Sequence, residues 1–201
     1  MRLRLVSSFA LAVVVIAACG GNEKTGLQPG KHEPTPDPKL LVVQLADLPS
    51  GFSLVPGERI PVPLSRVLAE PWSVGHAALI RRERIAGYQT SFRAADLGRI
   101  ESSAATYRSS DGARRVFRHG SRSFGAFLAT SQSGRRTRVE RIGEETRGYR
   151  YDVGRANGLT VIWRYRNVIA SCTTMQTEPP DLRQLTAVAQ AQQERISGAL
   201  E

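Results

Sequence analysis

The hydrophobic positions of the chain change their spacing several times, and each change marks an element. Residues 5–18 are free of charged side chains and mostly apolar, whereas residues 20–39 carry almost no apolar side chains. Leu40–Leu48 is apolar again and stops at Pro49-Ser50-Gly51, which predicts a short helix, a turn and a strand from Phe52 to about Glu58. Beyond Pro61 and Pro63, the residues Leu64, Val67, Leu68 and Trp72 recur at helical spacing, and Ala78 and Leu79 continue after Pro71. That pattern predicts a helix ended or kinked at the proline. From Ile85 the period becomes two. Ala86, Tyr88, Thr90 and Phe92 share one face, and a second strand over Arg99–Arg108 follows a turn near residues 94–98.

The second half repeats the alternation. Ser110 or Asp111 is placed to cap a helix whose face is Ala113, Val116, Phe117 and Gly120, reaching towards Phe127. Residues 131–138 are polar and basic and read as a loop. Three strands follow, at about 148–153, 159–165 and 168–175, with Arg166-Asn167 as the last hairpin turn, where asparagine tolerates positive φ. Pro179-Pro180 ends the sheet. Asp181 caps a final helix, with Gln184 placed for a capping box, and its buried face is Leu185, Val188, Gln192, Ile196 and Leu200. Antiparallel strands interleaved with helices predict an α+β domain over residues 40–201: a sheet of about five to six strands with helices packed on it. A chain segment of that length can bury a genuine core.

The N-terminus adds an address. Met1-Arg2-Leu3-Arg4 precedes the uncharged run to Ala18, a basic head on a short apolar stretch, which is the layout of a secretory signal. The run falls short of the roughly 20 residues a membrane span needs. Its end, Ile16-Ala17-Ala18-Cys19, resembles the lipobox of bacterial lipoproteins. That resemblance implies that residues 1–18 are a signal peptide, that Cys19 receives diacylglycerol, and that the mature protein is held at the extracytoplasmic face of the cell membrane by lipid on Cys19. Residues 19–39, rich in glycine, proline and charge, read as a lipidated cysteine followed by a disordered tether.

Charge and chemistry then narrow the field. The formal charge is +10, of which Arg2 and Arg4 leave with the signal, and nearly all the rest is arginine. The dense groups are Arg81, Arg82, Arg84; Arg114, Arg115, Arg118, Arg122; and Arg135, Arg136, Arg138, Arg141. They read either as solvated faces or as a basic rim for an anionic envelope polymer. Nucleic acid is no partner for an exported chain without a recognition motif. Cys172 alone remains after lipidation of Cys19, so no intrachain disulfide forms, and its apolar run predicts a packed thiol. His76 and His119 lack metal-ligand spacing, so no metal is expected, and without a nucleotide or nucleophile motif neither is a cofactor or a catalytic residue. Glu144 and Glu145 beside Asp152 read as ion-paired with neighbouring arginines. Trp163 and Tyr165 share a face of the central hairpin. They either floor a ligand groove rimmed by Arg164 and Arg166 or form the core beneath the final helix.

The segments LADLPSGF (45–52), AGYQTSF (86–92), ESSAATYRSSDGA (101–113) and VIWRYRNVIASCTT (161–174) resemble secreted lipoproteins of actinobacteria and related high-GC bacteria, over most of residues 40–200. That family has no established activity and lends no catalytic residue. The element order also resembles the fold type of the photosystem accessory protein PsbP and the nuclear-import factor Mog1, as an analogy of fold alone. The expectation is a non-enzymatic binding or interaction module for an envelope component or partner protein. An envelope-acting hydrolase and a lipid carrier are the alternatives.

Overall fold

Alternating strands that end in tight turns pair with their neighbours in sequence, and the architecture grows from two such meanders. The computed structural model describes residues 33–94 and 98–201; Cys19 and the export segment lie outside the described residues. The elements are α1 (Pro38–Leu41), β1 (Phe52–Leu54), β2 (Ile60–Pro61), α2 (Leu64–Ala69), a 3-10 segment Pro71–His76, α3 (Ala77–Glu83), β3 (Arg84–Ala94) and β4 (Gly98–Tyr107). They continue as α4 (Ser110–Ser131), β5 (Arg135–Thr137), β6 (Glu145–Val153), β7 (Ala156–Tyr165), β8 (Val168–Gln176) and α5 (Leu182–Leu200). The sheet is antiparallel throughout, in the order β1-β3-β4-β8-β7-β6-β5, with β2 also on β3. The chain leaves β4 through α4 and returns strand by strand until β8 lies beside β4.

Among the described residues eight strands form where five to six were expected. The two additional ones, Ile60–Pro61 and Arg135–Thr137, are too short or too polar to show an alternation, and the main chain of a neighbouring strand makes them. The 131–138 loop is therefore shortened by β5. Proline does set boundaries as expected: Pro71 ends α2 and opens the 3-10 segment. The cap of α4 is Ser109, whose hydroxyl accepts from the Gly112 N–H at 3.0 Å. In the β7–β8 turn it is Arg166 that takes positive φ, at 49°. Asn167 is instead buried, donating from Nδ2 to the carbonyls of Pro34 and Tyr107, both at 3.1 Å.

The domain also begins earlier than composition suggests. Asp37 caps α1 by accepting from the Lys39 N–H at 2.9 Å, and Pro38 and Leu41 are buried. Glu33 accepts from the backbone N–H and the hydroxyl of Ser110, at 3.1 and 2.6 Å. Residues 33–39 thus lie on the domain, and any tether ends before them.

Each sheet face has its own cover. On one, α1 and α5 pack over Phe92, Ile100, Leu159, Val161, Trp163 and Cys172. The buried stripe of α5 is Leu185, Val188, Gln192, Ile196 and Leu200, as its spacing predicts. Gln192 stays satisfied inside: its Oε1 accepts from Ser102 Oγ (2.8 Å) and Cys172 Sγ (3.2 Å), while its Nε2 donates to the Ser103 carbonyl (3.0 Å). Burial pushes the Cys172 thiol well up, so it is a packed, inert group. On the other face, α2, α3 and α4 surround Tyr107 and Ala113, and α4 carries Phe124 against Tyr149, edge to face.

Candidate functional site

Alternation along β7 sends successive side chains to opposite faces, and this separates the four residues that the sequence groups together. Trp163 points beneath α5, fully buried, and its Nε1 donates to Gln193 Oε1 at 2.8 Å. It is core and floors no groove. Tyr165 lies half-buried on the same face, with the Arg166 guanidinium 5.6 Å from its ring centre. Arg166 also donates to the Leu200 carbonyl at the end of α5, at 2.5 Å. Arg164 emerges on the opposite face, 2 % exposed, between the carboxylates of Glu144 and Glu145 (3.1 Å to the latter). Trp163 and Arg164 are buried on opposite faces, so of the four only Tyr165 and Arg166 stand together at the surface.

Glu145 also receives Arg118 Nε at 3.0 Å. Burial pushes the Glu145 carboxyl up, but hydrogen bonds and charge from Arg118 and Arg164 outweigh it and hold the group below the usual carboxylate range. Glu144 and Glu145 are thus ion-paired with arginine, and the partners are Arg164 and Arg118 where Arg141, Arg147 and Arg150 are the sequence neighbours expected for that role. His76 lies buried against Gly120 of α4, its ring 6.0 Å from that of Trp72. Burial, and then the nearby His119, hold its pKa below the ordinary value. Among the described residues no group of three His, Cys, Asp or Glu side chains could hold a metal ion.

The unexplained chemistry sits at the centre of the second face. Register places Ser91, Glu101, Thr173 and Thr160 in one row across β3, β4, β8 and β7, with Gln89, Ser103 and Ser171 in the next. A central strip facing a helix layer would ordinarily be apolar. Here it is a strip of small hydroxyls, one amide and one carboxylate, and Glu101, Ser103, Ser171 and Thr173 remain partly accessible. Ser103 and Ser171 share a 2.8 Å hydrogen bond, Thr160 and Thr173 one of 3.0 Å, and Tyr151 meets Thr160 at 3.1 Å. Arg99 closes one end, with Glu58 at 2.6 Å, Ser91 Oγ at 3.2 Å and Glu101 at 3.6 Å. Burial raises the Glu101 carboxyl above the usual range; Arg99 and Arg66 oppose that shift, while Glu58 and Glu70 reinforce it. Sequence reasoning missed this strip. Its only signal is that ESSAAT (101–106) and SCTT (171–174) put small polar side chains on alternate positions, a pattern any half-exposed strand shares.

The raised pKa has a consequence for stability. The charged form of Glu101 is disfavoured by folding, so its contribution is intact below the unfolded pKa and is lost as pH rises through the folded one. Glu101→Gln, which leaves Arg99 its Glu58 partner, is expected to raise the unfolding temperature by about 1–3 °C at pH 7.5. The gain should vanish below about pH 4. Thermal melts of both proteins across that range check it.

No protein-family model matches the chain, and no curated protein matches it. Among solved structures the chain is similar to the crystal structure of the extracellular domain of PknH from Mycobacterium tuberculosis. The TM-score is 0.57 at 8 % identity, covering 84 % of this chain and 100 % of that one. The likeness is one of fold.

Proposed function

We propose that the protein is a lipid-anchored extracytoplasmic binding module that takes a polar envelope component on the central strip of its sheet. The lipobox-like Ile16-Ala17-Ala18-Cys19 supports the location, and the fold is one that also serves as an extracellular domain in PknH. The observation that carries the binding reading is the accessible polar strip of Glu101, Ser103, Ser171 and Thr173. Paired hydroxyls offer both donors and acceptors at fixed spacing on a rigid floor, which suits a ligand rich in hydroxyl and amide groups. Disaccharide–peptide fragments of the cell wall have that chemistry.

The full chain, purified in neutral detergent, is expected to bind such fragments, prepared by lysozyme digestion, in isothermal titration. Ser103→Ala with Ser171→Ala removes both partners of one hydrogen bond together, leaving neither unsatisfied, so the fold should survive. Affinity should fall at least tenfold. The fragments should be recovered with unchanged mass. Absence of binding by the unaltered protein, or undiminished binding by the double variant, overturns the reading. Cleaved fragments would make the protein an enzyme instead.

A further inference from the structure

The three arginine-dense groups of the sequence have different fates in the fold. In the first two, carboxylates take up part of the charge: Glu83 pairs with Arg82 (2.9 Å) and Arg115 (3.0 Å), Asp111 with Arg114 (3.0 Å), and Glu145 with Arg118. In the third, Arg135, Arg136, Arg138 and Arg141 are all exposed and form no ion pair among the described residues.

That third group stands on a built surface. Val139 packs into the main core, and Gly148 of β6 makes room for it, since any Cβ there would collide with Val139 and Thr137. The segment is thereby pinned along the sheet edge while its arginines face outward. It borders two recesses, lined in turn by consecutive stretches of the same two segments, 133–141 and 179–190. One, of about 280 Å³, is lined by Arg135, Arg150, Asp152 and Asn157 among others. The other, of about 540 Å³, lies against α5 and is lined by Arg138, Arg141, Arg183, Thr186 and Gln190, with Glu140. Arg135 and Arg150 stand directly opposite each other across the β5–β6 ladder, an arrangement of like charge that costs stability. Among the described residues, Arg150 has only the Pro180 carbonyl, at 3.2 Å, as a partner. Of the two carboxylates here, Glu140 accepts from Gln190 Nε2 at 3.4 Å, and neither it nor Asp152 lies within ion-pair distance of an arginine.

We infer that this groove binds a chain-like phosphate anion, a polymer carrying successive phosphates. The guanidinium forks of Arg135, Arg138, Arg141, Arg150 and Arg183, which line these recesses and form no ion pair among the described residues, match repeated phosphates in charge and in bidentate geometry. The recesses exceed the size of a single phosphate, which favours a chain.

The test uses the full chain in neutral detergent with soluble inorganic polyphosphate as probe. Parallel arms hold inorganic phosphate and vesicles of phosphatidylglycerol. Polyphosphate should bind, more weakly as salt is raised, with a linear dependence on the logarithm of salt concentration. Arg138→Ala, Arg141→Ala and Arg183→Ala together should weaken binding at least tenfold, because all three side chains are exposed and the variant keeps its core. A control triple at the exposed arginines Arg81, Arg93 and Arg122 removes equal charge elsewhere and should change affinity less than twofold. Equal losses in the two triples would mean unspecific charge attraction and overturn the inference. Tighter binding to vesicles than to polyphosphate at equal phosphate would make the groove a membrane contact instead. A failure here leaves the polar strip untouched, since none of these arginines lines it.

Discussion

Arg164→Met is expected to lower the unfolding temperature by about 6–12 °C, the loss that about 3 kcal/mol makes in a domain of this size. Arg164 is 2 % exposed and holds three acceptors at once: Glu144, Glu145 at 3.1 Å, and the Arg166 carbonyl at 2.9 Å. Methionine fills most of the volume but leaves the half-buried Glu145 with Arg118 alone, and it frees Glu144 and the β7–β8 turn. The pair need not be stabilising against an apolar isostere on both sides, yet removing one partner strands the other. The retained Arg118 and the partial exposure of Glu144 keep the effect at the lower end of what a broken buried pair costs. Acid should narrow the gap. Because Glu145 titrates below its usual range in the folded protein, its pairing adds stability above about pH 4.3, and that contribution is lost as pH falls through the folded pKa. Arg141→Ala, an exposed and unpaired arginine, should shift stability by less than about 0.5 kcal/mol. Differential scanning calorimetry of the three proteins at pH 7 and pH 4 measures all of this; equal melting of Arg164→Met and the unaltered chain would remove the buried pair from the account.

The parts of the fold that alternation encodes could be read directly. The hairpin of β7 and β8, the long β3–β4 hairpin, the stripe of α5 and the stop at Pro71 all follow from side-chain period and from proline geometry. What escaped was fixed by contacts distant in sequence. Arg135–Thr137 is a strand because β6 offers it a ladder, although none of its three residues is apolar. Residues 33–39 join the domain because Ser110 donates hydrogen bonds to the Glu33 carboxylate and Asn167 donates one to the Pro34 carbonyl, and composition sees only proline and charge. The site was harder still. Trp163 and Arg164 are neighbours in sequence but lie on opposite faces, and the polar strip is assembled from four strands spanning residues 89–173, none of which carries a motif. The fates of the arginine groups depend on where Glu83 and Glu145 lie in space, which spacing alone does not reveal.

The second large effect concerns where the protein resides. Under the proposed function the Cys19 sulfur would carry a diacylglyceryl group, whose two acyl chains would supply stable anchoring at about 0.8 kcal/mol per buried methylene; the described residues hold no helix long and apolar enough to cross a membrane. Without Cys19 there is no thiol to acylate at the lipobox-like sequence, and cleavage before residue 19 would have no lipidated substrate. Cys19→Ser should therefore move the protein almost wholly out of the membrane-processed pool and accumulate the uncleaved form.

Lipid anchoring at Cys19 is measured most directly by radiolabelled palmitate, with detergent phase separation of the full chain and of its Cys19→Ser variant expressed in an actinobacterial host. The account predicts label and detergent partitioning for the unaltered protein, with a mature chain beginning at residue 19. It predicts an unlabelled, uncut precursor for the variant. A serine variant that is cut and partitions into detergent as fully as the original would contradict it.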